Sequence, residues 1–168
     1  LVSFPRYNAK RETRRLIGDY VLTQNDVTKV TVFDDAISYC GWTLDVHHPR
    51  GLFSGKEGPY FSDSYVPITS IPYRCIYSKN VSNLFMAGRC ASVSHLALGT
   101  VRVESTLATL GQAAGTAAAL CLEKGVMPRE LGQKYIDLLQ QTLLRDDQSI
   151  PWLRNHDSAD LARSAHIS

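Results

Sequence analysis

Residues 111–119 read GQAAGTAAA, and seven of these nine residues are glycine or alanine. A glycine inside a helix costs about 1 kcal/mol relative to alanine, so two of them four apart call for a close neighbour. The surrounding pattern predicts a helix over residues 104–124, stopped by Gly125. At about 100° per residue, Leu107, Gly111, Ala114, Gly115, Ala118 and Leu122 share one face. Ser105, Thr109, Gln112, Thr116 and Glu123 share a polar one. Small residues at that spacing let two backbones approach closely, so the first face is expected to pack, and Gln112 is not expected to touch a ligand. The helix start is different in kind: it gathers unpaired N–H groups and partial positive charge, which suit an electron-rich ligand.

Working outward, the run VSNLFMAGRC (81–90) predicts a buried parallel strand that ends in a tight turn at Gly88. ASVSHLALGTVRV (91–103) reads as a small-residue loop delivering Arg102 to the helix start. A second helix is expected over 127–147, with Pro128 at its start and Leu131, Tyr135, Leu138, Leu139 and Leu143 as its apolar stripe. Towards the N-terminus, residues 16–22 read as a strand. Thr23 caps a short helix with Asp26 in a capping box. Residues 33–40 are expected as a short helix, 41–48 as a half-buried strand, 49–64 as loop, and 65–78 as extended chain interrupted by proline.

The 168 residues are enough for a real core, with 44% hydrophobic and 20% charged residues arguing against disorder. A net charge of +2 is too balanced to imply a nucleic-acid partner on its own, and none is expected. The basic cluster of Arg6, Lys10, Arg11, Arg14 and Arg15 is a solvated or ion-paired surface, a subunit contact, or an anion site. The four cysteines form no CxxC pair; they are expected as buried free thiols in a reducing, cytoplasmic setting. No metal site is expected, since HExxH and clustered carboxylates are missing, and no G-x-S-x-G elbow supports a hydrolase. The most apolar run, 107–122, is too short to cross a membrane.

Taken together, NLFMAGRC (83–90) and GTVRVESTLATLGQAAGTAAAL (99–120) resemble the C-terminal end of FAD-dependent oxidoreductases of the two-dinucleotide-binding-domain type. Fumarate reductase and succinate dehydrogenase flavoproteins are distant members of that type. RETRRLIGDYVLT (11–23), the pair Asp45 and His47, and IPYRCI (71–76) fit the same family in order and spacing. The resemblance implies an α/β fold, α+β as an isolated chain. Residues 1–80 would form part of a β-rich substrate domain, 81–125 the closing strand and helix of a Rossmann-like FAD domain, and 126–168 a C-terminal helical cap and tail.

The resemblance also implies a site. Gly88 and Arg89 would lie near the ribityl and phosphate region of FAD, Arg89 meeting a phosphate or a protein carboxylate. Arg102, Val103, Ser105, Thr106 and Leu107 would lie at the flavin's N1/C2 edge. Arg102 is also a catalytic candidate, with Glu104 as the carboxylate that would otherwise occupy it. His47 and His48 point to opposite faces of a strand; either is an acid/base beside the flavin or a structural histidine bonded to Asp45 or a loop carbonyl. His95 is a candidate contact to substrate or flavin. Tyr73 and Arg74 are expected to brace the junction between domains.

The G-x-G-x-x-G turn that grips the FAD pyrophosphate is missing from the sequence. The expectation is therefore a C-terminal fragment or subunit of an oxidoreductase, sharing FAD with an N-terminal portion or separate subunit, acting by hydride transfer on a small organic substrate, and inactive alone. The other expectation is a non-catalytic interaction subunit that binds a protein partner through the surface the N-terminal half would cover.

Overall fold

The computed structural model describes residues 14–48, 50–57, 60–62, 65–160 and 166. Within them the chain forms α1 (Gln24–Thr28), β1 (Ala36–Cys40), β2 (Asp45–His47), β3 (Tyr60–Ser62), β4 (Thr69–Pro72), α2 (His95–Val101), α3 (Glu104–Lys124), α4 (Pro128–Lys134) and α5 (Ile136–Arg145). The strands pair as two antiparallel ribbons, β1 with β4 and β2 with β3. This is a mixed arrangement of helices and small antiparallel sheets around one core that runs from Leu22 to Ile150. Arg6, Lys10 and Arg11 of the basic cluster lie outside the described residues.

The central helix α3 has the predicted limits. Gly125 ends it in the left-handed region at φ 64° and donates its N–H to the Cys121 carbonyl. Its buried face is another matter. Thr106, Leu110, Ala113, Ala114, Ala117, Leu120 and Cys121 are buried, a face turned roughly 120° from the expected one at 100° per residue. They pack against β1, α4, α5 and the turn at Gly88–Cys90. A Cβ added at Gly111 or Gly115 meets nothing within 4 Å, and Leu122 is 85% exposed. The close-packing reading of the two glycines is thus corrected: among the described residues, nothing approaches them. Gln112 donates instead to the Asp146 carbonyl at 3.0 Å.

The expected helix over 33–40 is strand β1. Its register with β4, Ala36 opposite Pro72 through Cys40 opposite Thr69, buries four of its five residues, and that burial overrides the local pattern. A bulge between Ala36 and Ser38 interrupts the ladder. The amide of Gln140 donates to the carbonyls of Asp34 (2.8 Å) and Ala36 (2.9 Å), and that of Gln148 donates to the carbonyl of Ile37.

Other boundaries also differ. Residues 16–22 run extended without a regular ladder, apart from a single parallel bridge of Leu22 with Val93. The expected loop 49–64 contains β3 and two short 3₁₀ turns, Gly51–Phe53 and Gly55–Glu57. Residues 84–87 are not a buried parallel strand: Phe85 bridges Tyr77 in the antiparallel sense, and Leu84 is 37% exposed. The expected loop 91–103 holds α2, capped by Ser94, whose side chain accepts from the Ala97 N–H. The second helix is broken at Tyr135, φ −133°, into α4 and α5.

The capping box at α1 forms as expected. Thr23 Oγ1 accepts from the Asp26 N–H at 3.4 Å, and Asp26 Oδ2 accepts from the Thr23 N–H at 2.7 Å. Burial pushes the Asp26 carboxyl up, but hydrogen bonds from Thr23 and Tyr20 outweigh it and hold the group below its ordinary value. A depressed folded value contributes stability above the unfolded value of about 3.9 and loses it as pH falls through the folded value. Thr23→Ala is expected to cost about 1 kcal/mol at neutral pH. The difference from wild type should shrink in urea-unfolding curves as pH falls below the ordinary carboxylate value and through the depressed folded one.

Candidate functional site

Two neighbourhoods collect the candidate residues. The first is the turn at Gly88. Here Met86 N–H donates to the Ile76 carbonyl (2.7 Å) and Ser78 N–H to that of Leu84 (2.9 Å), so the chain arrives as one arm of an irregular hairpin. Gly88 then takes φ 80°, a conformation in which glycine alone is unstrained. A Cβ there would meet nothing within 4 Å. The 3₁₀ turn Gly88–Cys90 packs on α3.

Residues 16–22 run alongside, with Leu16 N–H donating to the Cys90 carbonyl (2.9 Å) and Leu22 N–H to that of Ser92 (3.0 Å). This close approach needs Gly18, where an added Cβ would sit 2.3 Å from the Arg74 carbonyl oxygen. The strand-like segment thereby sets Arg15 next in chain to the residue bonded to the turn. Arg15 Nη1 and Ser92 Oγ are buried without hydrogen-bond partners. Arg89 is partly buried, and no carboxylate among the described residues pairs with it.

The second neighbourhood is the corner between β2, α2 and α3. Strand β2 lies directly on α2 at Gly99, where a Cβ would come within 2.9 Å of the Asp45 carbonyl oxygen. Arg102, 8% exposed, closes the corner. Its Nη2 donates to the Asp45 carbonyl (3.0 Å) and to Asp45 Oδ2 (2.8 Å). The carboxylate that holds Arg102 is therefore Asp45, while Glu104 is exposed. Val46 points into the core and His47 is exposed. His48 Nδ1 accepts from the Arg50 N–H at 3.1 Å, the loop contact of a structural histidine.

Immediately after Arg102, α3 begins without a side-chain cap, Val103 standing at the N-cap position. Its first N–H groups lack the partner that a capping serine or threonine supplies. A cavity of about 60 Å³ lies there, lined by Tyr39, Ser105, Thr106 and Thr109. It has room for one edge of a ligand. Ser105 is exposed, Thr106 is buried, and Leu107 packs on the core.

His95 is not brought to this corner. It opens α2 while Arg102 follows its end, about 10 Å apart at 1.5 Å per residue. Tyr73 is fully buried and donates its hydroxyl to the Pro128 carbonyl at 2.8 Å. Arg74 forks Asp35 at 2.9 and 3.1 Å and lies 5.1 Å above the Tyr20 ring, so both brace neighbouring segments. The role of Asp45 as the Arg102 partner and that of Gly99 as the contact point were not read from the sequence; a glycine inside a run of small residues was their one signal.

All four cysteines are free. Burial pushes the Cys40 thiol up to about 11 and Cys75 to about 12, so neither supplies a thiolate at neutral pH. Among the described residues, no helix is long and apolar enough to cross a membrane, and no group of three His, Cys, Asp or Glu side chains is placed to hold a metal ion.

Residues 1–143 match the family model of the FAD dependent oxidoreductases. Comparison with curated proteins and with solved structures gives no match.

Proposed function

The chain belongs to the FAD-dependent oxidoreductase family, and from that premise we propose that it is the C-terminal portion of a two-dinucleotide-binding-domain flavoprotein, distantly similar to fumarate reductase flavoproteins. Flavin-dependent redox chemistry and FAD as cofactor come with the family. The sequence has no G-x-G-x-x-G turn, so in this reading the pyrophosphate grip is shared with an N-terminal portion or separate subunit. Residues 1–80, 81–125 and 126–168 are then part of the substrate domain, the closing unit of the Rossmann-like FAD domain, and the helical cap. Four free thiols suit a cytoplasmic setting.

The observation that carries the reading is the uncapped start of α3 beside its small cavity. These residues fit an electron-rich ring edge. The open N–H groups and the positive end of a 21-residue helix favour developing negative charge. When bound, the flavin supplies hydride transfer to or from a small organic substrate. Val103, Ser105, Thr106 and Leu107 orient its edge. Arg102, held by Asp45, fixes the helix start. Gly88 and Arg89 take the ribityl and phosphate side. His47, exposed on β2, is the residue that would exchange a proton with substrate in this reading, with His48 and His95 as further candidates.

The experiment is the absorbance spectrum of the purified protein together with every polypeptide that co-purifies. Bands of bound oxidised flavin are expected. A colourless complex that stays colourless after FAD is added would sink the reading. In that event the second reading takes over, a non-catalytic subunit docking a protein partner; the open face of Gly111, Gly115 and Leu122 favours it.

A further inference from the structure

We propose that Arg15 is a diphosphate-binding residue, acting with Arg89 at the Gly88 turn; this deepens the reading above, in which the diphosphate belongs to FAD. The other described arginines are ion-paired or solvated. Arg74 sits on Asp35, Arg102 on Asp45 and Arg129 on Asp19. Arg14, Arg50, Arg145 and Arg154 are exposed to solvent. Among the described residues, only Arg15 and Arg89 are partly buried and lack a carboxylate partner.

Arg15 carries the sharper signal, because its Nη1 is out of contact with solvent and still has no acceptor. A buried donor on a charged group is costly to leave unmet, and native structures rarely leave one. The Leu16 N–H bonds the Cys90 carbonyl at 2.9 Å, so Arg15 and Arg89 each stand one residue before the two bonded residues, on adjoining runs of backbone. Neither arginine has a carboxylate counter-charge among the described residues, and an anion bound between the two runs would supply one. A planar guanidinium donates two parallel N–H bonds to phosphate oxygens, and a diphosphate offers an oxygen pair to each. The backbone admits such a ligand: Gly88 has φ 80° and open space where a Cβ would stand, so a bulky anion can approach the main chain.

The sequence itself did not separate Arg15 from its neighbours. Arg14, next to it, is exposed, and the distinction exists only once residues 16–22 are laid along the turn.

The test is a titration of the full chain, with any co-purifying polypeptide, using three probes: FAD, riboflavin and inorganic pyrophosphate. Wild type is expected to bind FAD and pyrophosphate. Arg15→Gln should weaken both by roughly tenfold or more, leave riboflavin unchanged, and lose less affinity than wild type as salt is raised. Arg15→Lys should recover part of the loss. The ligand-free thermal midpoint of each variant, matched to wild type, shows that folding is intact. Equal FAD and pyrophosphate affinities in Arg15→Gln and wild type overturn the inference while the flavin reading stands. An equal loss for riboflavin and FAD also overturns it, since the residue then acts through structure. Pyrophosphate binding without flavin binding keeps the anion site and sinks the flavin reading. Binding of none of the three probes by wild type sinks both.

Discussion

Gly18→Ala is expected to destabilise the protein by about 3 kcal/mol, near the upper end for an overpacked site. The new methyl carbon would lie 2.3 Å from the Arg74 carbonyl oxygen, 3.0 Å from that of Tyr77 and 3.1 Å from Ser92 Cβ. Two of these are backbone atoms, so no rotamer change relieves the clash. The segment 16–22 would have to lift away, which also strains the bonds from Leu16 to Cys90 and from Tyr20 to Arg74. Urea unfolding should show a lower midpoint with an unchanged slope. The matched control has the opposite sign. Gly111→Ala and Gly115→Ala each add a methyl to open space in a helix and should stabilise the chain by up to about 1 kcal/mol. If Gly18→Ala were neutral, the close approach described here would be wrong.

Arg102→Met carries the second large effect. It removes the donor to both the carboxylate and the carbonyl of Asp45, so β2 loses its tie to the junction of α2 and α3. The Asp45 side chain is 34% exposed, and water takes over part of the lost interaction, which argues for about 2 kcal/mol rather than the larger cost of a fully buried pair. The β2–β3 ribbon should then exchange its amide hydrogens faster than β1, which is held by β4. A double-mutant cycle with Asp45→Asn measures the coupling directly. Coupling near zero would mean that Arg102 is not an anchor. In flavin-loaded protein the same variant should release flavin more readily, because the helix start it fixes is the proposed binding edge.

What the sequence conveyed depended on the range of the signal. The limits of α3, the Gly125 stop and the Thr23–Asp26 box are written within a few residues, and all three form. Strand β1 is not written locally: its partner β4 lies about thirty residues further on, and burial across that distance decided its conformation. Helix α2 has only seven residues and rests on one serine cap, too little to outweigh a composition that reads as loop. A helical wheel shows which residues share a face and not which face is covered. In α3, alanines occur on every side, so the glycine stripe pointed the wrong way. At the candidate site, Arg102 stood out because a cation ahead of a helix start is unfavourable unless a carboxylate or anion offsets it, whereas its partner Asp45 lies 57 residues away and carried no local signal. Arg15 did not stand out, since an unmet buried donor is a property of three-dimensional placement.

The glutamines of the C-terminal segment have a consequence for solubility. A strand with an unpaired edge is a template on which a strand from another molecule can add. Around the start of β1, the carboxamides of Gln140 and Gln148 already occupy the carbonyls of Asp34, Ala36 and Ile37, and the bulge breaks the regular spacing an incoming strand would need. Side-chain amides thus do the work of a neighbouring strand without offering an outer edge of their own. An incoming strand would have to displace these carboxamides from Ala36 and Ile37, so α5 and the segment that follows it make sheet growth between molecules less favourable at β1.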